Sequence, residues 1–336
     1  MENLPALPGP EPAREEPAPS EVGIRFGWAL FTEEGSAKRA AALLELIERL
    51  RAFSTPYRFT HFKYGTSSDT RYDEVTKRRW EIIREEIRRT AFDLAPGKML
   101  SLKNRFDAEP FGQVHLEIMF RTSRQRLHAV YFTIVPEAVA KPERLRALAE
   151  IADWAWENLG GVHAYMNPVL AMELYHGGNF AKACDILSAN RVLEIHDDWN
   201  FLPLFREKAK GPSWSIFLGP KPLEILGGLD RVSREAPVAL VRSLPGGGAA
   251  IEMLDAPVWE ENAGSVDAYA RFFEYLKPVT AIGVAPLVLG KPLAKRGILR
   301  SLRFSAGPQA VLESLPKAPR PRKVLPARAA FRPRRP

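Results

Sequence analysis

Two neighbouring segments of strict two-residue alternation constrain the fold of this chain most. In the first, apolar side chains alternate with others, and the apolar set is Val114, Leu116, Ile118 and Phe120. Val130, Phe132 and Ile134 repeat the pattern after a polar link at 122–126. Successive residues of a strand point to opposite faces, so the pair predicts an antiparallel hairpin with one buried face. The other face, which carries His115 and Glu117, is expected to be wet or lightly covered.

Segments with helical spacing surround this hairpin. Apolar residues recur every three to four positions over 36–53 and, behind Pro142, up to Leu159, which predicts two amphipathic helices. Short strands are predicted at 23–31, 58–64 and 162–166. Thr70 to Asp73 has the form of a capping box and predicts a helix start, followed by a buried stripe of Val75, Trp80, Ile83 and Ile87. These elements predict an α+β fold, a mainly antiparallel sheet with helices packed on one face.

The second half of the chain offers a similar mixture of elements. Short helices are predicted near 168–176 and 179–188, then a strand at 214–218 and a helix at 222–226. A hairpin is expected from 238–242 and 249–254, and a last helix behind a Ser265 cap. A body over 22–285 with two lobes, 22–166 and 167–285, follows from this order.

The charge is concentrated at the ends of the chain. The formal net charge is +8, and residues 317–336 alone carry eight Lys and Arg with no acid. Residues 1–21 are Pro-rich and hold five Glu against one Arg. Such segments have too few large apolar groups to offset the entropy of ordering. A disordered acidic arm over 1–21 and an extension over 286–336 with a disordered basic tail are therefore predicted.

The location is predicted from cysteine usage and hydropathy. The chain has one cysteine, Cys184, which excludes an internal disulfide and fits a reducing compartment. It contains neither an apolar run near 18 residues nor the start of a signal peptide. A cytoplasmic protein is expected.

Motifs for chemistry are weak. His115-Leu-Glu117 lacks the cysteine pair of zinc deaminases, and His196-Asp197-Asp198 fits a solvated turn better than a metal site. Glycines 246–248 fit a hairpin turn better than a phosphate loop. No catalytic residue, metal or cofactor is expected, and an enzyme with scattered catalytic residues is kept as an alternative.

One acidic segment is more suggestive of binding. From Ser243 to Ala270 there is no Lys or Arg, and the acids are Glu252, Asp255, Glu260, Glu261 and Asp267, with Trp259 among them. An exposed aromatic in an acidic surface suits a basic protein partner. The alternative is a solvated loop with Trp259 folded inward.

The C-terminal half also carries an ordered set of short motifs. They are Trp214-x3-Leu218-Gly219, Leu226-Gly227-Gly228, Ala256-Pro257, Asn262, Tyr269 and Leu276-x-Pro278. In order and spacing they resemble the type VI immunity family, the DUF3396 group. This chain departs from the family after Pro257, where Trp259-Glu260-Glu261 replaces the usual Gly-Asp.

The resemblance implies a non-catalytic immunity protein of bacterial competition. Such a protein binds a cognate toxin of type VI secretion and neutralises it by steric and electrostatic occlusion. The candidate toxin-facing residues are the five acids and Trp259 named above, together with Asp197 and Asp198.

A second hypothesis is nucleic-acid association through the tail. Positive side chains among prolines can neutralise phosphates in a sequence-independent, salt-sensitive way. The candidate residues are Arg320, Arg322, Lys323, Arg328, Arg332, Arg334 and Arg335.

Overall fold

The computed structural model describes most of the residues between positions 23 and 280. The described ranges are 23–33, 37–55, 57–66, 72–90, 98–104, 112–119, 127–171, 193–195, 205–260 and 262–280. The predicted arm, the predicted extension with its basic tail and the helix predicted near 179–188 lie outside these ranges.

The core of the fold is one sheet of eleven strands in the described residues. The strands are β1 (Gly23–Thr32), β2 (His61–Thr66), β3 (Asp73–Glu74), β4 (Lys98–Lys103), β5 (Val114–Met119), β6 (His128–Ile134), β7 (Gly161–Ala171), β8 (Glu194–Ile195), β9 (Ser215–Leu218), β10 (Leu240–Leu244) and β11 (Gly248–Glu252). Their order is β10-β11-β9-β7-β1-β6-β5-β4-β2-β3, and all these neighbours are antiparallel. β8 pairs in parallel with the end of β7.

Six α-helices accompany the sheet in the described part of the chain. They are α1 (Ala37–Phe53), α2 (Lys77–Thr90), α3 (Pro142–Leu159), α4 (Pro220–Ile225), α5 (Leu229–Glu235) and α6 (Ala263–Leu276). Pro142 begins α3, where its missing N–H costs no helical hydrogen bond. Gly160 ends the helix with a φ of 66°, a left-handed conformation that glycine adopts without strain.

The helices of the two halves cover opposite faces of the sheet. Successive side chains of β9 point to these two opposite faces. Phe217 belongs to the apolar cluster under α1, α2 and α3, whereas Ile216 and Leu218 pack with α4, α5 and α6. The predicted α+β fold is therefore confirmed, with a mainly antiparallel sheet and helices on one face in each half. β7 runs through the predicted lobe boundary at 166/167, so a single sheet spans both halves.

Two local predictions are wrong. Asp73 lies in β3 and does not cap a helix; α2 begins at Lys77, and the Thr76 hydroxyl accepts the Arg79 backbone N–H at 3.3 Å. The buried stripe of Trp80, Ile83 and Ile87 is confirmed. Residues 168–171, predicted as the start of a helix, continue β7 as a strand because they pair with β1.

The helices differ from membrane-spanning helices in the combination of length and apolar character. Within the described ranges, none combines the length and the apolar character that a membrane crossing requires.

Candidate functional site

The motif residues of the C-terminal half form its internal framework. Trp214 is buried just before β9, and its indole N–H donates to the Leu254 carbonyl at 2.8 Å. Its backbone N–H donates to Asn167 Oδ1 at 2.9 Å, and the Tyr269 hydroxyl donates to the same oxygen at 2.9 Å. One buried amide thus joins β7, the start of β9 and α6. Trp214 and Tyr269 are structural residues here.

The glycine and asparagine motifs are also structural. Gly227 and Gly228 follow α4 with φ values of 95° and 87°, which glycine adopts most readily. Asn262 caps α6, since its side chain accepts the Ser265 backbone N–H at 2.9 Å. The Ser265 hydroxyl in turn accepts the Asn262 backbone N–H at 3.0 Å, completing a capping box. The predicted Ser265 cap is therefore wrong by three residues.

The acidic segment has both paired and exposed members. Glu252 ends β11, and its carboxylate lies 3.5 Å from the Arg242 guanidinium. Asp267 pairs with Arg271 at 3.1 Å on the surface of α6. Asp255 and Glu260 are exposed, and Glu261 lies outside the described residues.

Trp259 packs inward. Its ring lies 5.8 Å from that of Phe26 on β1, and it is partly buried against the main core. This position favours the alternative in which the aromatic side chain closes the loop. The loop after β11 therefore crosses one end of the sheet, from Glu252 to Trp259, and carries Asp255 and Glu260 outward.

An ion-pair cluster near this loop was not predicted from the sequence. Arg242 of β10 bonds both carboxylate oxygens of Asp153 on α3, at 2.7 and 3.2 Å, in addition to contacting Glu252. Burial disfavours the guanidinium charge, but the two carboxylates outweigh it and raise the pKa of Arg242. The cluster ties the edge of the C-terminal half to a helix of the N-terminal half.

The second face of the predicted hairpin was expected to be wet or lightly covered, but its Met119, Ala129 and Tyr131 are buried in an apolar cluster. The part of this face that carries His115 and Glu117 holds a polar network. His115 Nε2 lies 2.7 Å from Ser101 Oγ, which lies 2.9 Å from the Tyr72 hydroxyl. Burial, together with the charges of Lys103 and Lys63, lowers the pKa of His115 to about 3. A neutral imidazole bonded to a buried hydroxyl is a satisfied structural group. Burial also raises the pKa of the neighbouring Glu117 carboxyl.

His163 is a second buried histidine with both ring nitrogens bonded. Nδ1 donates to the Phe217 carbonyl at 3.0 Å, and Nε2 accepts the Lys210 backbone N–H at 3.3 Å. Burial lowers its pKa to about 3, and the Lys210 charge acts in the same direction. The Lys210 ammonium donates to the Tyr165 hydroxyl at 3.0 Å. The group ties β7 to β9 and to the segment before it.

Several candidate residues lie outside the described part of the chain. They are Cys184, His196, Asp197, Asp198 and every tail residue of the nucleic-acid hypothesis. Within the described ranges, no group of three or more His, Cys, Asp or Glu side chains is placed to hold a metal ion.

Comparison with known proteins gives a structural likeness. No family model and no curated protein matches the chain. Among solved structures, the chain is similar to "Pseudomonas aeruginosa T6SS protein PA0821", with a TM-score of 0.66. The sequences are 12% identical, and the match covers 84% of this chain and 82% of that one. A likeness at this identity shows a shared fold, and the structural neighbour is named as a T6SS protein.

Proposed function

We propose that this chain is an immunity protein, which binds a cognate toxin of type VI secretion and neutralises it by occlusion without catalysis. The observation that carries the proposal is the fold shared with a T6SS protein over most of both chains. We further propose that the chain belongs to the type VI immunity family, and this assignment rests on the motif resemblance. The producing cell's cytoplasm is the proposed location.

The internal placement of the motif residues supports this reading. A fold kept by buried contacts such as those of Trp214 and Tyr269 leaves its surface open to variation. Within one family, different surfaces could then fit different toxins. Here the exposed acids Asp255 and Glu260 give the end of the sheet a negative character that suits a basic partner.

Protection of a living cell requires tight binding. Nanomolar affinity corresponds to about 12 kcal/mol at a 1 M standard state. The test is to co-express the chain with the toxin encoded beside its gene and to measure survival and complex formation. Purified chain should restore target activity at a fixed molar ratio near equivalence. Full neutralisation by a small fraction of an equivalent would contradict occlusion and favour catalysis.

The loop after β11, which carries Asp255 and Glu260, is the proposed toxin-facing surface. Reversing its charge at Asp255 and Glu260 to Lys should slow association and weaken binding about tenfold or more at low salt, because steering depends on complementary charge. The double variant Glu143→Lys/Glu150→Lys is the matched control, since both residues are also exposed but lie on α3. Equal affinities for the loop variant and the control variant would dismiss this surface.

A further inference from the structure

The loop after β11 is held at both of its ends. At the first end, the Met253 N–H donates to the Trp214 carbonyl, and the Trp214 indole N–H donates to the Leu254 carbonyl, each at 2.8 Å. At the other end, the Trp259 ring lies 5.8 Å from the Phe26 ring. Trp214 and Phe26 are both buried, so the two attachments are made to the interior of the fold.

The two attachments also contact each other. The Phe26 ring lies 5.9 Å from the Trp214 ring in an edge-to-face arrangement, in addition to its contact with Trp259. Aromatic pairs of this kind contribute beyond the apolar area that they bury. One cluster of three aromatic side chains therefore fixes both ends of the loop.

The residues between the ends divide into inward and outward side chains. Leu254 packs against the main core and against the apolar cluster of the C-terminal half, and Val258 packs against the latter. Asp255 and Glu260 are exposed. Pro257 lies between them, and its ring fixes one backbone torsion. A loop held in this way has few conformations open to it, so its two exposed carboxylates are presented in one arrangement.

A preformed loop favours binding because ordering a loop costs free energy. A loop that becomes ordered only in the complex loses backbone and side-chain freedom there, and this loss weakens the affinity. A loop that is already held avoids most of the cost. An inward aromatic side chain can thus raise the affinity for a partner that it does not touch.

We propose that Trp259 is a positioning residue of the toxin-binding surface. Together with Trp214, it holds the loop after β11 in its binding conformation before the toxin arrives. Asp255 and Glu260 then meet basic side chains of the toxin without prior ordering. This inference rests on the proposed function and deepens it, since it assigns the part of the fold that prepares the surface.

The first experiment is a double-mutant cycle, with the purified toxin encoded beside the gene as the probe. Trp259→Ala should weaken binding about tenfold or more, and Trp259→Phe, which keeps an aromatic ring, should bind within about threefold of the wild type. In an Asp255→Ala/Glu260→Ala background, Trp259→Ala should change the affinity by less than about threefold, because the groups that it positions are gone. An equal loss of affinity in both backgrounds would overturn the proposal.

Trp154→Ala is the matched control for stability. Trp154 is also a partly buried tryptophan that packs against the main core, but it lies on α3. Its replacement should lower the free energy of unfolding and leave the toxin affinity unchanged. A loss of affinity as large as that of Trp259→Ala would show general destabilisation and refute a positioning role.

NMR relaxation of the unaltered chain keeps the proposal testable if the alanine variants do not fold. In the free protein, the backbone amides of 254–260 should have order parameters near about 0.85, as in rigid backbone. Values below about 0.6 that rise when the toxin binds would mean that the loop becomes ordered only in the complex. The proposal would then be wrong.

The results also separate this inference from the proposed function. If the wild-type chain neither binds nor protects against the toxin, the immunity proposal fails. If Asp255→Ala/Glu260→Ala binds the toxin as tightly as the wild type, the loop is not the toxin-facing surface, and this inference fails with it. If that variant loses affinity and Trp259→Ala does not, only the positioning role is wrong.

Discussion

Replacing Asn167 with Ala should lower the free energy of unfolding by about 4 kcal/mol. Asn167 is fully buried, and its Oδ1 accepts the Trp214 N–H and the Tyr269 O–H, each at 2.9 Å. The substitution leaves both buried donors without this acceptor, and each such loss costs about 1–3 kcal/mol. The C-terminal half should be affected first, because the amide joins its strand β9 and helix α6 to β7.

The assay is urea unfolding, followed by circular dichroism and by tryptophan fluorescence. Tyr269→Phe should cost only about 1 kcal/mol, because Asn167 keeps its bond from Trp214. Asn158→Ala should be near neutral, since that amide bonds the Trp154 carbonyl of its own helix and Ala is the better helix former. If Asn167→Ala costs no more than Tyr269→Phe, the amide is not the shared acceptor that holds the framework.

Three further predictions concern backbone, pH and tail. Gly228→Ala should lower the free energy of unfolding by about 1–3 kcal/mol, because alanine is strained at a φ of 87°, whereas Gly264→Ala inside α6 should raise it slightly. Thermal unfolding of the two variants measures both effects. The free energy of unfolding should fall as the pH drops below about 6.5, because His163 takes up a proton in the unfolded chain, whereas in the folded chain its pKa is about 3. His163→Gln should reduce this pH dependence by about 1.4 kcal/mol per pH unit. An unchanged pH dependence in the variant would show that His163 is not its source. Deleting residues 317–336 should leave toxin protection intact and abolish salt-sensitive binding to DNA, and loss of protection on deletion would favour the nucleic-acid hypothesis.

Elements with a clear period were predictable from the sequence. The alternation around Leu116 and Phe132 predicted β5 and β6, because one buried face fixes the register of a strand. The helical spacing behind Pro142 predicted α3 almost to the residue. Short or competing signals misled: Asp73 has the spacing of a cap, yet strand pairing with Phe62 holds it in β3.

The candidate site was less predictable because its contacts join distant parts of the chain. The acids were visible in the sequence, but pairing of Arg242 with Asp153 depends on how α3 crosses the sheet edge. The inward position of Trp259 likewise depends on Phe26, which lies more than two hundred residues earlier. Local patterns carry no information on such pairs. The helix cap is a different case: both Asn262 and Ser265 suit an N-cap by residue type, and the structure has Asn262 in that position.

The place of β1 in the middle of the sheet has a consequence for biosynthesis. β1 is the first described element, yet one of its edges pairs with β7, so Trp28 cannot be paired until Met166 has left the ribosome. Until then a nascent chain holds an open strand edge beside large apolar side chains, which invites association with other chains. A slowly closing sheet of this kind would depend on chaperones at high expression.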